Sequence, residues 1–250
     1  MKYAAKVTGG SGPHLLFRIF LVWATVGLLI TGFNITVLTV EQWNVPPVIR
    51  DFFQNCLLWG DFIFLALSFA VILQLYASWL GWVRAVGGAV LVGALGGVAE
   101  WVGTRTGLPF GSYHYTENMG PMIGGQLPWA IPLAWWTVIG SFHLLLRAWW
   151  PSLGSWSTAV MVGILATGFD YIMEPYAWQI KTYWIWHQGS VPWLNYASWF
   201  VLSLTFSIML AALGAWGSPG KSVAVPRALW VMVLICSLFL LGRAVHSGWF

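Results

Sequence analysis

Two acidic residues in the fifth apolar stretch of the chain are the first candidates for chemistry. Asp170 and Glu174 lie four residues apart, and Gly163 and Thr167 precede them at similar steps, so one helical face carries all four. A carboxyl group at membrane depth costs roughly 2.5–3.5 kcal/mol even on the most lenient scale. Two of them one turn apart also repel, so at least one should hold a proton at neutral pH if both are buried. The pair is therefore a candidate acid–base centre.

The sequence also allows a simpler interpretation of this pair. Pro175 directly follows Glu174, and a residue before proline is pushed away from helical angles, so Glu174 is expected at a helix end or a kink. The two carboxylates would then lie in water at the membrane interface, or form salt bridges with Arg243 or Lys181. The general association of intramembrane acids with function favours the first interpretation.

A third acidic residue closes the third apolar stretch. Ala89, Gly93 and Gly97 precede Glu100 at four-residue steps, and small residues at this spacing let another helix approach closely. Packing alone explains the glycines. Glu100 continues the same face, so its side chain is expected to point into the bundle rather than toward lipid.

Two long connections carry polar and aromatic residues. The segment 100–115 contains three glycines and Pro109, which predict fixed turns, so we interpret it as a folded lid or pocket wall. Its donors are Thr104, Arg105, Tyr113, His114 and Tyr115. The second connection, 178–192, contains Trp184, Trp186 and His187. A lone histidine such as His114 is more often structural than functional.

Several common membrane chemistries have no support in this sequence. It lacks the HExxH motif of zinc proteases. Asp170 follows Phe169 rather than the glycine of an intramembrane aspartyl protease motif, and the last apolar stretch holds no lysine for a retinal Schiff base. The spacing of Asp170 and Glu174 resembles a magnesium-diphosphate motif only superficially, because no second acidic motif or arginine cluster accompanies it. Cys56 and Cys236 lie far apart and define no disulfide or zinc framework.

Three motifs resemble the carotenoid biosynthesis membrane family that includes CruF, the carotenoid 1,2-hydratase. The first motif comprises Glu100, Gly103-Thr104, Gly107-Leu-Pro-Phe-Gly111 and Tyr113-His-Tyr115; the second is Asp170 with Glu174-Pro175; the third comprises Trp184, Trp186, Val191-Pro192, Asn195 and Trp199. The resemblance covers about residues 85–205. The third motif departs from the family pattern at Ser190 and Ser198.

The resemblance implies addition of water to the terminal double bond of an acyclic carotenoid end group, without a redox cofactor. It implies an acyclic or monocyclic carotenoid as substrate, no metal and no nucleic acid partner. The tertiary alcohol so formed can be modified further by downstream carotenoid enzymes.

Hydration of such an alkene begins with protonation by an acid, followed by water capture of a tertiary carbocation. Asp170 is the predicted acid because it lies deeper than Glu174, and Glu100 or Glu174 is predicted to hold the water and accept its proton. The residues predicted to contact the substrate are Arg105, Phe110, Tyr113, His114, Tyr115, Trp184, Trp186, Asn195 and Trp199. Aromatic faces can stabilise the cation by about 2 kcal/mol or more when desolvated.

Three other functions use the same residues. A carotenoid cyclase shares the protonation step but lets a neighbouring double bond trap the cation. A proton-coupled transporter would use the same buried acids, although the inverted repeats that favour it are not evident. A pigment-binding scaffold would hold a carotenoid without changing it.

The elements that must position these residues follow from composition. Of 250 residues, 59% are hydrophobic and 7% are charged, against roughly 25% charged in soluble domains. At about 20 residues for each membrane span, this apolar share allows about seven spans. The apolar stretches are 15–40, 55–80, 83–103, 127–150, 152–177, 193–216 and 224–246. We therefore predict an all-α integral membrane protein, with residues 1–250 forming a single polytopic domain of about seven transmembrane helices.

Charge distribution predicts the orientation and the location of the acids. With a cytoplasmic N-terminus, Lys2, Lys6, Arg18, Arg84, Arg147, Lys221 and Arg227 lie inside, and Arg50, Arg105, Lys181 and Arg243 lie outside. This seven-to-four excess favours an N-in, C-out orientation. We expect the protein in a bacterial or archaeal cytoplasmic membrane. In an up-down bundle all the acidic residues then belong to one half, whereas His143 and Arg147 belong to the other, where Arg147 can reach outward to water.

Tryptophan is unusually frequent, with 20 residues, which exceeds what interfacial belts need. Those expected near the acids are Trp101, Trp129, Trp178, Trp184, Trp186, Trp193 and Trp199. They are predicted to line a polyene pocket.

Overall fold

The computed structural model describes residues 12–219 and 224–247. The helices of this part are α1 (Gly12–Gly32), α2 (Val37–Glu41), α3 (Pro47–Leu80), α4 (Trp82–Thr106), α5 (Ala130–Trp149), α6 (Ser155–Gln179), α7 (Trp193–Ala212) and α8 (Ala224–His246). The short strands are β1 (Tyr113–Tyr115), β2 (Met122–Ile123), β3 (Leu127–Pro128) and β4 (Trp184–Trp186), and a 3₁₀ helix covers Glu117–Met119.

Seven of these helices are long and apolar enough to cross a membrane. They correspond to the seven apolar stretches of the sequence, so the predicted all-α membrane bundle is confirmed. Lys2, Lys6 and Lys221 lie outside the described residues. The N-in orientation and the single-domain organisation stay predictions.

The first apolar stretch does not form one continuous helix. Helix α1 ends at Gly32, and Asn34 adopts a left-handed conformation with φ of 50°. Thr36 then caps α2 through a hydrogen bond from the Thr39 backbone amide to its side chain. Helix α3 begins at Pro47 rather than near 55, so Asp51 lies on a helix instead of in the predicted connection.

Helix α6 continues past the residue that was expected to end it. Pro175 lies inside the helix, which extends to Gln179. Of the two expected outcomes, a helix end at Glu174 is therefore wrong, whereas a kink stays a prediction. Proline removes one backbone donor from a helix, and the tertiary packing of this buried segment outweighs that local preference.

Helix α5 is the most enclosed of the membrane spans, since most of its residues are buried inside the bundle. Gly93 and Gly97 of α4 both face Pro132, so the glycines allow the close approach expected of small residues. Gly96 allows the closest approach, because a Cβ there would lie 2.5 Å from Cγ of Trp135. This contact fixes the position of Trp135 against α4.

The two long connections meet and form a small sheet. Strands β1 and β4 pair antiparallel, with Tyr113 opposite Trp186 and Tyr115 opposite Trp184. Because side chains alternate along a strand, these four aromatic side chains share one face, directed into the bundle. The sequence analysis predicted a folded loop here but no strands, since segments of three residues carry almost no periodic signal.

Gly111 shows why this loop needs a glycine. Its φ is 115°, a region open mainly to glycine, and a Cβ there would collide with Pro192 at the start of α7. The Ser198 hydroxyl donates to the Pro109 carbonyl at 2.6 Å. The serine at a position that departs from the family pattern thus ties α7 to this loop.

Candidate active site

Glu100, near the end of α4, is surrounded by three aromatic hydrogen-bond donors. The Tyr113 hydroxyl and the Tyr115 hydroxyl both donate to Oε2, the latter at 2.8 Å. The indole Nε1 of Trp135 donates to Oε1 at 3.2 Å. Both oxygens of this buried carboxyl group are therefore satisfied, and its position is fixed from the sheet and from α5.

Burial keeps the two tyrosines in their donor form. It raises the pKa of Tyr115 well above the usual value, and the nearby Glu100 carboxyl group adds to the shift. Burial raises the pKa of Tyr113 for the same two reasons, in the same order. Both side chains stay phenols that donate to Glu100 at neutral pH.

Glu174 on α6 has a matching set of donors. Trp186 Nε1 donates to Oε2 at 3.1 Å, and Trp184 Nε1 donates to the same oxygen at 3.3 Å. Asn195 Nδ2, from the first turn of α7, donates to Oε1 at 3.4 Å. Indole and amide N–H groups can only donate, so this environment suits an ionised carboxylate.

Asp170 differs from both glutamates in having one free oxygen. Its Oδ2 accepts a hydrogen bond of 2.6 Å from Asn195 Nδ2, the same nitrogen that reaches Glu174. Its Oδ1 is buried without a partner in the structure, although the side chain is fully buried. Four other buried side-chain atoms among the described residues also lack a partner, but none of their residues lines the cavity described below. Buried polar atoms are nearly always paired, so Oδ1 is a candidate atom for contact with a substrate or a proton.

One cavity brings the three acids together. The space between its lining residues, including the part open to the outside, is about 710 Å³. Its walls come from α3, the two β strands of the aromatic sheet, the 3₁₀ helix, and α4 to α8. The lining residues are Leu65, Glu100, Tyr113, Tyr115, Met119, Ile131, Ala134, Trp135, Thr137, Val138, Phe169, Asp170, Met173, Glu174, Trp184, Trp186, Asn195, Trp199, Ile235 and Phe239. The cavity is thus predominantly apolar and aromatic, with three carboxyl groups and an amide.

Most of the residues predicted from the sequence line this cavity, but three do not. Arg105 is exposed, donates to Gln126 Oε1 at 2.9 Å, and lies over the ring of Trp101. Phe110 is buried beside the cavity, with its ring centroid 6.5 Å from that of Trp135. Both residues therefore support the wall rather than form it.

His114 lies on the opposite face of the sheet from the cavity. It is exposed, and its Nδ1 is 2.9 Å from Nε2 of His187, whose Nδ1 is 2.7 Å from the Ser112 hydroxyl. The alternation of side chains along β1 explains this, because the neighbouring Tyr113 and Tyr115 point inward. A substrate contact for His114 has no geometric support.

The predicted tryptophans divide in the same way. Trp184, Trp186 and Trp199 line the cavity, whereas Trp101, Trp129, Trp178 and Trp193 do not. Sequence reasoning missed Trp135, which stacks on Trp199 with a centroid distance of 4.4 Å and donates to Glu100. Its helical spacing from Ile131 and Val138, which also line the cavity, places it on their face of α5. The sequence does not show whether this face or that of the neighbouring Trp136 turns toward the cavity.

Among the described residues, Asp170 and Glu174 form no salt bridge, contrary to the alternative interpretation of this pair. Lys181 pairs with Asp61 of α3 at 2.9 Å, not with Asp170 or Glu174. The acids of α6 are instead held by neutral donors. This leaves a carboxyl-rich cavity with no buried basic partner among its lining residues.

Taken together, fold and site define an integral membrane protein whose spans enclose an aromatic cavity with carboxyl groups suited to proton transfer. The family model for "Carotenoid biosynthesis protein" matches residues 60–249. The chain belongs to this family, which confirms the resemblance seen in the sequence motifs and extends it over α8.

One curated relative is similar over part of the chain. Bisanhydrobacterioruberin hydratase of Haloarcula japonica is 32% identical over 120 residues, covering 46% of this chain and 40% of the relative. The aligned region thus spans less than half of that protein. No solved structure matches the chain.

Proposed function

We propose that the chain is a carotenoid 1,2-hydratase, which adds water to the terminal C=C of the acyclic end group of an acyclic or monocyclic carotenoid. The observation that carries the proposal is the unpartnered Oδ1 of Asp170 in an aromatic cavity that also holds Glu100 and Glu174. The family match and the similarity to a protein named as a hydratase support it. The reaction needs an acid, a base and water, and no redox cofactor.

The first step is protonation of the terminal alkene. Asp170 is the proposed acid, because its free Oδ1 can carry a proton toward a substrate, whereas both oxygens of Glu100 and Glu174 already accept hydrogen bonds. The π electrons form the new C–H bond, the O–H bond of Asp170 breaks, and a tertiary carbocation results. Two acids on consecutive turns that share one Asn195 amide group favour a state with a single proton between them.

Water then completes the addition. Its oxygen forms the C–O bond at the tertiary carbon, and its surplus proton passes to a carboxylate, with Glu174 or Glu100 as the proposed acceptor. Return of that proton to Asp170 restores the starting state, so the sum is alkene plus water giving a tertiary alcohol. Hydrogen bonds from N–H groups favour the ionised form of a carboxyl group, and the ionised form is the one that can take up this proton.

The aromatic walls have a role in the same mechanism. Trp135 and Trp199 form a stacked pair and line the same cavity as Asp170. Indole faces attract a cation with about 2 kcal/mol or more when desolvated. They also exclude bulk water, so that the acid meets the alkene in an apolar environment. The polyene chain enters sideways from the bilayer.

The test is expression of the chain in a bacterium that makes lycopene, followed by mass analysis of the extracted pigments. Products heavier by one or two waters are expected. Lycopene alone, with folded protein confirmed in the membrane, would overturn the proposal for this substrate. A product of unchanged mass with new end groups would identify a cyclase instead, and pigment bound but unchanged would indicate a binding scaffold.

A further inference from the structure

A second chamber adjoins the carboxyl cavity. It has an empty volume of about 580 Å³, and six residues line both spaces. These shared residues are Leu65, Met119, Met173, Trp184, Ile235 and Phe239. Because the same six side chains line both spaces, the chamber lies directly against the carboxyl cavity.

The far end of this chamber is polar. Asp61, Lys181 and Tyr183 line it there, and the same three residues also line a large open cleft on the outside of the bundle. Lys181 Nζ lies 2.9 Å from Asp61 Oδ2, and the Tyr183 hydroxyl donates to the same oxygen at 2.6 Å. The three residues thus stand between the open cleft and the inner chamber.

The side chains of the ion pair are in contact with solvent. The side chain of Asp61 is 43% exposed and that of Lys181 is 35% exposed. A charged pair in this position keeps water at the mouth of the chamber, because both ions retain part of their hydration. An apolar polyene makes no favourable interaction with this ion pair.

We propose that Asp61, Lys181 and Tyr183 form the entrance through which water reaches the carboxyl cavity. This inference rests on the proposed hydratase function, which consumes one water for each end group. The polyene and the water then arrive by different routes: the polyene from the bilayer, the water from the open cleft through the second chamber. Met119 and Met173, which line both spaces, mark the inner part of the water route.

The route can be tested by hydroxyl-radical footprinting of the full chain in lipid nanodiscs, with short X-ray pulses that oxidise side chains next to water. In the wild type, Met119 and Met173 are expected to be oxidised. The double variant Asp61→Leu/Lys181→Met removes both charges together and leaves neither one unpaired. It should lower oxidation of both methionines several-fold, and lower hydration several-fold with the amount of bound pigment unchanged. Asp51→Leu, an exposed acid on the same helix, is the matched control and should change neither.

Tyr183→Phe provides a second variant that keeps the shape of the entrance. It removes the hydroxyl that donates to Asp61, so a smaller fall in both measurements is expected. If methionine oxidation and carotenoid hydration are unchanged or increased in both variants, the proposed water entrance is wrong. If the wild type hydrates no carotenoid, the hydratase proposal fails, and methionine oxidation still decides whether water takes this route.

Discussion

The two halves of the bundle bury polar side chains in different ways. In the half opposite the acids, His143 Nδ1 is 2.9 Å from the Ser207 hydroxyl and its Nε2 is 2.8 Å from the Ala215 carbonyl oxygen. Arg147 donates to the carbonyl oxygens of Leu153 and Pro151 at 2.6 and 2.9 Å. Every ring nitrogen of His143 has a partner, so this half uses buried polar groups to hold loops.

The side chain of Arg147 is buried and does not extend to water as the sequence analysis predicted. It also donates to Gly217 and to Trp216, in the loop after α7, and the residue is only 5% exposed. The expectation that it reaches outward to water is wrong. It instead satisfies backbone carbonyls of two loops, which stabilises the ends of the helices that those loops connect.

Unpaired buried atoms occur in both halves, such as Ser141 Oγ near His143, but among the described residues only Asp170 Oδ1 belongs to a residue that lines the carboxyl cavity. Glu100 and Glu174 are as fully bonded as His143, whereas Asp170 Oδ1 is not. Buried polarity alone therefore does not mark function in this protein. The proposed role of Asp170 rests on the combination of an unpaired oxygen and an adjoining space, because an unpaired buried group costs about 1–3 kcal/mol and a bound substrate can recover that cost.

Asp170→Asn should have the largest effect. It keeps the shape and removes the acid, so hydration should fall by about 10²–10⁴-fold, measured as hydrated product per amount of membrane protein. Asp51→Asn, an exposed acid on α3, is the control and should retain full activity. Full activity in Asp170→Asn would remove this residue from the role of acid.

Arg147→Met, in the half opposite the acids, should lower the stability of the protein without changing its activity. Arg147 makes several hydrogen bonds as a charged donor, and each is worth about 1.5–3 kcal/mol, so the free energy of unfolding should fall by at least about 3 kcal/mol. The measurement is thermal unfolding in detergent, with hydration per folded molecule unchanged. A variant that unfolds like the wild type but has lost hydration would contradict the division between the two halves.

Glu100→Gln should give an intermediate loss of activity. If the carbonyl oxygen of the new side-chain amide accepts the hydrogen bonds from the two tyrosines, its NH₂ group must face the indole N–H of Trp135. Two hydrogen-bond donors then face each other, and that hydrogen bond is lost. Loss of one hydrogen bond to a charged group, about 1.5–3 kcal/mol, corresponds to roughly tenfold to a hundredfold in rate. Kinetic analysis of the purified protein checks this, and a change smaller than in Tyr115→Phe would argue against a central role for Glu100.

Gly96→Ala should have the smallest effect of the four. A Cβ there would collide with Trp135, and overpacking of this kind costs about 1–3 kcal/mol. Gly87 lies on the same helix with nothing within 4 Å of its Cβ position, so Gly87→Ala should be neutral or slightly stabilising. Equal unfolding temperatures for the two variants would show that Trp135 is less tightly fixed than the structure indicates.

Local sequence properties predicted the bundle and part of the site. The number of spans follows from the length of each apolar stretch relative to the bilayer, and the common face of Asp170 and Glu174 follows from the helical period. The same period could not reveal that α6 continues through Pro175, because packing against its neighbours outweighs the local preference. It could not separate Trp135 from Trp136 either, since the inward direction of α5 is set by the helices around it.

By itself, the sequence predicted a seven-span membrane protein, singled out Glu100, Asp170 and Glu174 as candidates for chemistry, and indicated the family to which the chain belongs. Only the tertiary structure decided that Glu100 shares a cavity with Asp170 and Glu174, and that Asn195 bridges the latter two while one oxygen of Asp170 stays free. It also decided that Tyr113 and Tyr115 face inward and His114 outward, through a pairing of two strands far apart along the chain. Such contacts depend on helix packing and strand register, which join distant segments and leave no local pattern to read.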